Sequence, residues 1–393
     1  MAAPPLAPPR DLTVPEQGST TARTILSRAT GRLLAELSSL PRALAPPGPA
    51  RDELDAFKAC VAGLLRQEPG AIVSAVRRPT VSALLRAMRP APAQENLVEL
   101  IALVSFELAL QGTLPAPLRV TRFPKRLLSL PARLVVDVPA DTRAITFSAR
   151  SVVLHRPAGD EALDLDTRSS LLVPIEGELL LALADNNPYA MQEAHPDKQG
   201  NAVDLGGRPA EEWVAMLKAC LALIGEHLPD LRSELDLFIH QFVPVGFDSE
   251  RHLSASYREA IGTIYLTLHP SLMTMTEAVI HEFSHNKLNA LFELDEVLEN
   301  AFAPLYASPV RPDPRPLHGV LLAVHAFIPV ARLYEQMIAA GHPLAQSASF
   351  LARFAKVKAI NAEGNAVVLG HGRPTRVGAG LFDELRRWDA HYR

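Results

Sequence analysis

The 393-residue chain predicts an α+β fold, with a helical N-terminal region, a small β-rich middle region and a mainly helical C-terminal region. Three observations predict it. Apolar residues recur at helical spacing between Thr21 and Leu110. From about Pro115 the texture changes to short β-type runs separated by Pro, Gly and Asp. Apolar-periodic stretches then return, among them Thr274–Phe292, which holds no Gly or Pro.

The elements follow in order. Residues 1–20 are Pro-rich and expected to be disordered or loosely draped. Residues 21–114 form the helical region, with helices at Thr21–Leu40, Asp52–Arg66, Thr80–Met88 and an apolar, buried one at Asn96–Leu110. This region carries no recognisable chemistry and reads as scaffold or partner recognition. Residues 115–185 are β-rich: runs at 135–138, 144–147, 151–155, 169–173 and 179–184 suggest a small antiparallel sheet. His155 stands alone among apolar neighbours there, as a structural histidine does. Residues 186–393 are the catalytic candidate. They open on the Asp185-Asn186-Asn187-Pro188 turn and a polar loop in which His195 with Glu193 or Asp197 is either a site or a capped solvent loop. Helices are expected at Glu211–Glu226, Pro229–Ile239, about Leu317–Met337 (kinked at Pro329), Ser347–Val357 and Leu381–Tyr392. Strands are expected at Phe242–Phe247 and Gly262–Leu268, and a hairpin around Asn361–Leu369.

Composition narrows the function classes. A hydrophobic share of 48% against 21% charged residues marks a globular chain, and a formal net charge of −4 supplies no general drive toward nucleic acid or anionic membrane. Cys60 and Cys220 lie in apolar helical runs and make no CxxC, so a disulfide framework is not expected and a reducing cytoplasm is. The opening MAAPPLAPPR lacks the pattern of a secretory signal, and no apolar run is read as membrane-spanning. The expectation is a cytoplasmic protein whose oligomeric state composition leaves open.

The chemistry concentrates in Thr274–Phe292. Thr274 and Glu277 have capping-box spacing at its start. Within it, His281-Glu282-Phe283-Ser284-His285 is an HExxH signature. Residues four apart share a helix face, so the two imidazoles can hold one metal ion with Glu282 beside it. The β-type run Gly262–Leu268 precedes the helix, and a strand leading into an HExxH helix is the zincin arrangement. A metal site needs a third protein ligand. Leu288 and Leu291 stand where the metzincin extension would place Gly and His, which excludes that class. His325 is the first choice, His318, seven residues earlier on the same apolar helix, the second, and Glu299 the third, with Glu296 beside it. Asn289 extends the His281/His285 stripe by one turn.

The run HEFSHNKLNALFELD from His281, followed by SPVRPDPRPLHGVLLAVHAF from Ser308, resembles a bacterial family of HExxH proteins that act as 2-oxoglutarate-dependent peptide β-hydroxylases in the making of ribosomal peptide natural products. The resemblance covers roughly residues 180–340, including the DNNP turn. It implies Fe(II) rather than zinc, held by His281, His285 and a third residue, with the open positions taken by 2-oxoglutarate and O2. A His325 ligand would make a three-histidine site; Glu299 would restore two histidines and one carboxylate. The implied partner is a precursor peptide, hydroxylated at the β-carbon of one side chain. The distal carboxylate of 2-oxoglutarate calls for an arginine, for which Arg311, Arg315 and Arg258 are candidates. Glu282 and Asn289 become orienting groups. The alternative is a zinc metallopeptidase with Glu282 as general base. Motif and fold serve both classes.

Overall fold

The computed structural model describes residues 5–90, 92–192, 194–195 and 198–393. It is α+β, helical at both ends with its sheets between. The N-terminal helices are α1 (Thr21–Ser38), α2 (Pro49–Gln67), α3 (Pro69–Val76), α4 (Pro79–Ala87) and α5 (Gln94–Gln111). Proline opens α2, α3 and α4, where the missing N–H has no helical partner to lose. Helix α3 is an addition to the sequence reading, because its Pro69-Gly70 start looks like a break. Every residue of α5 from Leu100 to Ala109 is buried, so this helix forms the axis of its core.

The strands β1 (Leu118–Val120), β2 (Arg126–Ser129), β3 (Leu134–Asp137), β4 (Ala144–Ser148), β5 (Ser151–Arg156) and β6 (Gly159–Ala162) follow. They make an antiparallel sheet in the order β1-β4-β5-β6 and a separate β2–β3 hairpin. Next come β7 (Leu172–Glu176) and β8 (Leu179–Ala182), then a two-residue pair, β9 (Ala194–His195) with β10 (Lys198–Gln199). Helices α6 (Ala210–His227) and α7 (Pro229–Phe238) lead to β11 (Gln241–Phe247), β12 (Ser254–Ala255), β13 (Thr263–Leu268) and α8 (Leu272–Phe292).

A second sheet has the order β12-β13-β11-β8-β7, with β11 parallel to both β8 and β13 and β12 antiparallel at the edge. The sequence pattern predicts β7 and β8 within the small antiparallel sheet of residues 115–185; they join the sheet that carries α8 instead, because β11 pairs directly with β8. All six residues of β13 are buried. Side chains alternate across a strand, so Ile264, Leu266 and Leu268 enter one core and Tyr265 enters the other. The sheet thus has an apolar core on each face.

The C-terminal part contains β14 (Leu305–Tyr306), paired with β15 (Arg315–Pro316), then α9 (Leu317–Ala339), α10 (Ala348–His371) and α11 (Arg376–Tyr392). Helix α9 runs through Pro329 as one element. Among the described residues it is the one helix long and apolar enough to cross a membrane, and 72% of its apolar window is buried against neighbours, as in a core helix. The hairpin expected around Asn361–Leu369 is a correction, since that stretch is the middle of α10. Gly364 lets α10 approach α9 so closely that a Cβ there would collide with Val324, and Asn361 Nδ2 donates to Phe327 O at 3.1 Å. Residues that look like a turn are there for close packing. The expectation of a loose N-terminus is also corrected for residues 5–20. Leu12 is 0% exposed, and Glu384 of α11 accepts from Leu12 N at 2.8 Å, from Thr13 N at 2.7 Å and from Thr13 Oγ1.

Candidate metal centre

Helix α8 leaves β13 through His269-Pro270, and Ser271 caps it by accepting from Thr274 N at 3.3 Å. The cap therefore lies three residues before the expected Thr274. Glu277 is engaged elsewhere, accepting from Tyr334 Oη at 2.5 Å and from Arg353 Nη2 at 2.5 Å. Asn286 fixes the helix to its strand. Its Oδ1 accepts from Gly262 N at 2.7 Å, and its Nδ2 donates to Thr263 O and to Glu282 O. Gly262 itself has φ of 106°, a conformation natural to glycine.

His281 and His285 project from one face, their ring centroids 4.4 Å apart and nearly perpendicular at 81°. Ligand atoms of His281, Glu282 and His285 all lie within 4.8 Å of one another, and no other metal-ligating group joins them among the described residues. Burial first, and the neighbouring His285 second, pushes His281 down to about 3. Burial, with His318 beside it, pushes His285 down to about 4. Both rings are therefore neutral at pH 7, with lone pairs free to donate. Nδ1 of each ring is buried without a hydrogen-bond partner. Phe327 of α9 packs edge-on against His281 at 4.8 Å. Two neutral imidazoles a helical turn apart with a carboxylate between them form a donor set that suits a divalent transition-metal ion.

Glu282 is 3% exposed. One oxygen accepts from Ser254 Oγ and the other from Ser256 Oγ, each at 2.7 Å. These serines belong to β12 and the residue just after it, on the sheet edge over the helix. Sequence reasoning missed them, although hydroxyls two apart on an extended segment lie on the same side. It also missed Asn286, and Arg353, whose charge is felt at His281.

The remaining candidates stand outside this cluster, although His325 is near enough for the charges of His285 and His281 to act on it. His325 is 0% exposed on α9, and neither ring nitrogen has a hydrogen-bond partner; the Leu12 backbone lies beside the ring without bonding geometry. Burial first, then the charge of Lys287, holds it well below the ordinary histidine range. It does not enter the 4.8 Å cluster. His318 stacks between Phe292 at 4.5 Å and Phe302 at 5.3 Å, near enough to His285 to be felt there, but also outside the cluster. Glu296 and Glu299 are exposed, and Asn289 is buried at 5% exposure. Arg311 is exposed, and Arg315 pairs with Asp313 of its own loop at 2.9 Å. Arg258 is better placed: Nη2 donates to Phe292 O at 3.3 Å and its charge reaches His318. Glu193 and Asp197 lie outside the described residues, and of His195 only the backbone of β9 is described. His155 bonds Thr146 Oγ1 and Asp160 Oδ1, both at 2.8 Å, within its own sheet.

Compared with known proteins, the chain matches no family model and no curated protein. Its reading rests on the chemistry of this cluster.

Proposed function

We propose that the protein is an Fe(II)- and 2-oxoglutarate-dependent hydroxylase acting on the β-carbon of a side chain in a ribosomally made precursor peptide. The observation that carries the choice is the pairing of Glu282 with Ser254 and Ser256. A hydrolase needs that carboxylate to take a proton from water. Here each oxygen accepts one hydroxyl hydrogen from the sheet edge, which favours an orienting group while a lone pair remains on each oxygen. His281 and His285 would hold the iron. When bound, iron with 2-oxoglutarate and O2 supplies the oxidising power that turns a C–H bond into C–OH, with succinate and CO2 as co-products.

The chain's own work is positioning. Phe327 fixes the His281 ring and keeps water from one side of it. Asn286 ties the histidine face to the register of β13. Arg353, whose charge is felt at His281, and Arg258, whose charge is felt at the neighbouring His318, are the guanidinium candidates, and the distal carboxylate of the keto acid would meet one of them. Of the two, Arg353 is already paired with Glu277, which leaves Arg258 as the better anchor.

A zinc peptidase remains the second reading, because Glu282 lies within the same 4.8 Å cluster as the imidazoles. Anaerobic purification followed by metal analysis and a succinate assay separates the two. Iron with succinate release supports the hydroxylase. Zinc, with peptide cleavage that Glu282→Gln abolishes, replaces it with the peptidase.

A further inference from the structure

A cavity of about 400 Å³ lies between α3, the end of α5, the β2–β3 turn, the β4–β5 turn and the loop after β6. Cavities of this size hold small molecules. Glu107 of α5 forms part of its wall, is 2% exposed, and has an Oε1 with no hydrogen-bond partner. Ser74 and Ser129 add hydroxyls. Arg150 and Arg168 complete the lining from exposed loops. Arg150 has a backbone φ of 58°, bonds Ala109 O through its own N–H at 2.9 Å, and lays its side chain across Gly112. Arg168 is steadied by Nη1, which donates to Leu165 O, Asp166 O and Thr167 O.

We propose that this cavity binds a small zwitterion of amino-acid or dipeptide size, its ammonium on Glu107 and its carboxylate on Arg150 and Arg168. An unpartnered, buried carboxyl oxygen calls for a charged N–H donor. The guanidinium groups at the rim call for a carboxylate. A dianion would face Glu107 unfavourably, and a simple cation would bring the two guanidinium groups no anion. This site is separate from the metal centre and does not depend on the hydroxylase reading.

Protonation supplies a signature. Burial pushes Glu107 up to about 7, opposed by Ser129 and by Arg78. The other charges lining the cavity are Arg150, Arg168 and Asp166. An ammonium favours the ionised carboxylate, so binding below pH 7 releases a proton and affinity rises with pH up to about 7.

Titration calorimetry of the full chain with glycylglycine tests this, with N-acetylglycine and glycinamide as probes that each lack one charge. The expected result is binding of glycylglycine alone, with proton release at pH 6. Glu107→Gln and Arg150→Gln should each weaken it at least about tenfold. Arg150 is at the surface, so its variant should fold normally, and His285→Ala should leave the affinity unchanged. The proposal is overturned if glycylglycine gives no heat up to about 10 mM, or if the Glu107→Gln and Arg150→Gln proteins bind it as the parent does.

Discussion

His325 and Glu282 show how differently two buried polar side chains can be settled. Glu282 has a hydroxyl on each oxygen, whereas His325 has no partner on either nitrogen. A buried polar group left unsatisfied destabilises by about 1–3 kcal/mol. His325→Leu is therefore expected to raise the stability of the metal-free protein in urea denaturation, and metal analysis of the same variant tests His325 as the third ligand. Loss of metal from that variant identifies His325 as a ligand; unchanged metal content removes it from the set. His281→Ala and His285→Ala should each abolish stoichiometric metal binding while the circular dichroism of the fold persists. Removing both hydroxyls with Ser254→Ala and Ser256→Ala leaves Glu282 buried without donors. The double variant is expected to lose about 2–4 kcal/mol and to hold metal more weakly. At this scale the HExxH pair was legible from spacing alone, because four residues is a helical turn. The serines were not, because their role depends on an edge strand that only tertiary pairing creates.

Among the elements, α10 tests why local signals misled. Asn361, Gly364 and Asn365 read as turn formers, yet they sit in mid-helix facing α9. Gly364→Ala would force a methyl into Val324 and should cost about 1–3 kcal/mol. Gly31→Ala on α1, where a Cβ meets nothing, should be neutral or slightly stabilising, since alanine is the better helix former by about 1 kcal/mol. Comparing the two urea midpoints separates packing from propensity. Helix α1 was legible from apolar periodicity that matches its buried face, and α5 and α8 from long apolar runs without Gly or Pro that are buried nearly all round. The β7–β8 pair was legible as strands, but its sheet was not, since its partner β11 arrives after two intervening helices. The Thr274 cap failed for a local reason: Ser271, nearer the strand, offers the same hydroxyl one turn earlier.

For the whole molecule, buried titratable groups set opposing pH limbs. His240 and His252 are pushed down by burial to about 3 and about 4. Their folded values lie below the unfolded one, so the stability they confer is present above about pH 6.5 and lost as pH falls toward those values. Glu107 runs the other way. Its folded value of about 7 exceeds the unfolded one, so stability present below about pH 4.5 declines as pH rises to 7. Relative to Glu107→Gln, the parent protein should lose roughly 3 kcal/mol between those limits. Chemical denaturation at pH 5 and pH 8 measures the difference; equal losses in both proteins would refute it.

The alternation along β13 has a practical consequence for dissecting the chain. Tyr265 points toward the α5 side while Ile264 and Leu266 point toward α8, so one strand serves as a party wall for two rooms. Residues 186–393 produced alone would lose β7 and β8 and bare the plaster on one side of that wall. Such a fragment should aggregate rather than bind metal, and adding back residues 1–185 as a separate chain should rescue both solubility and the two-histidine grip.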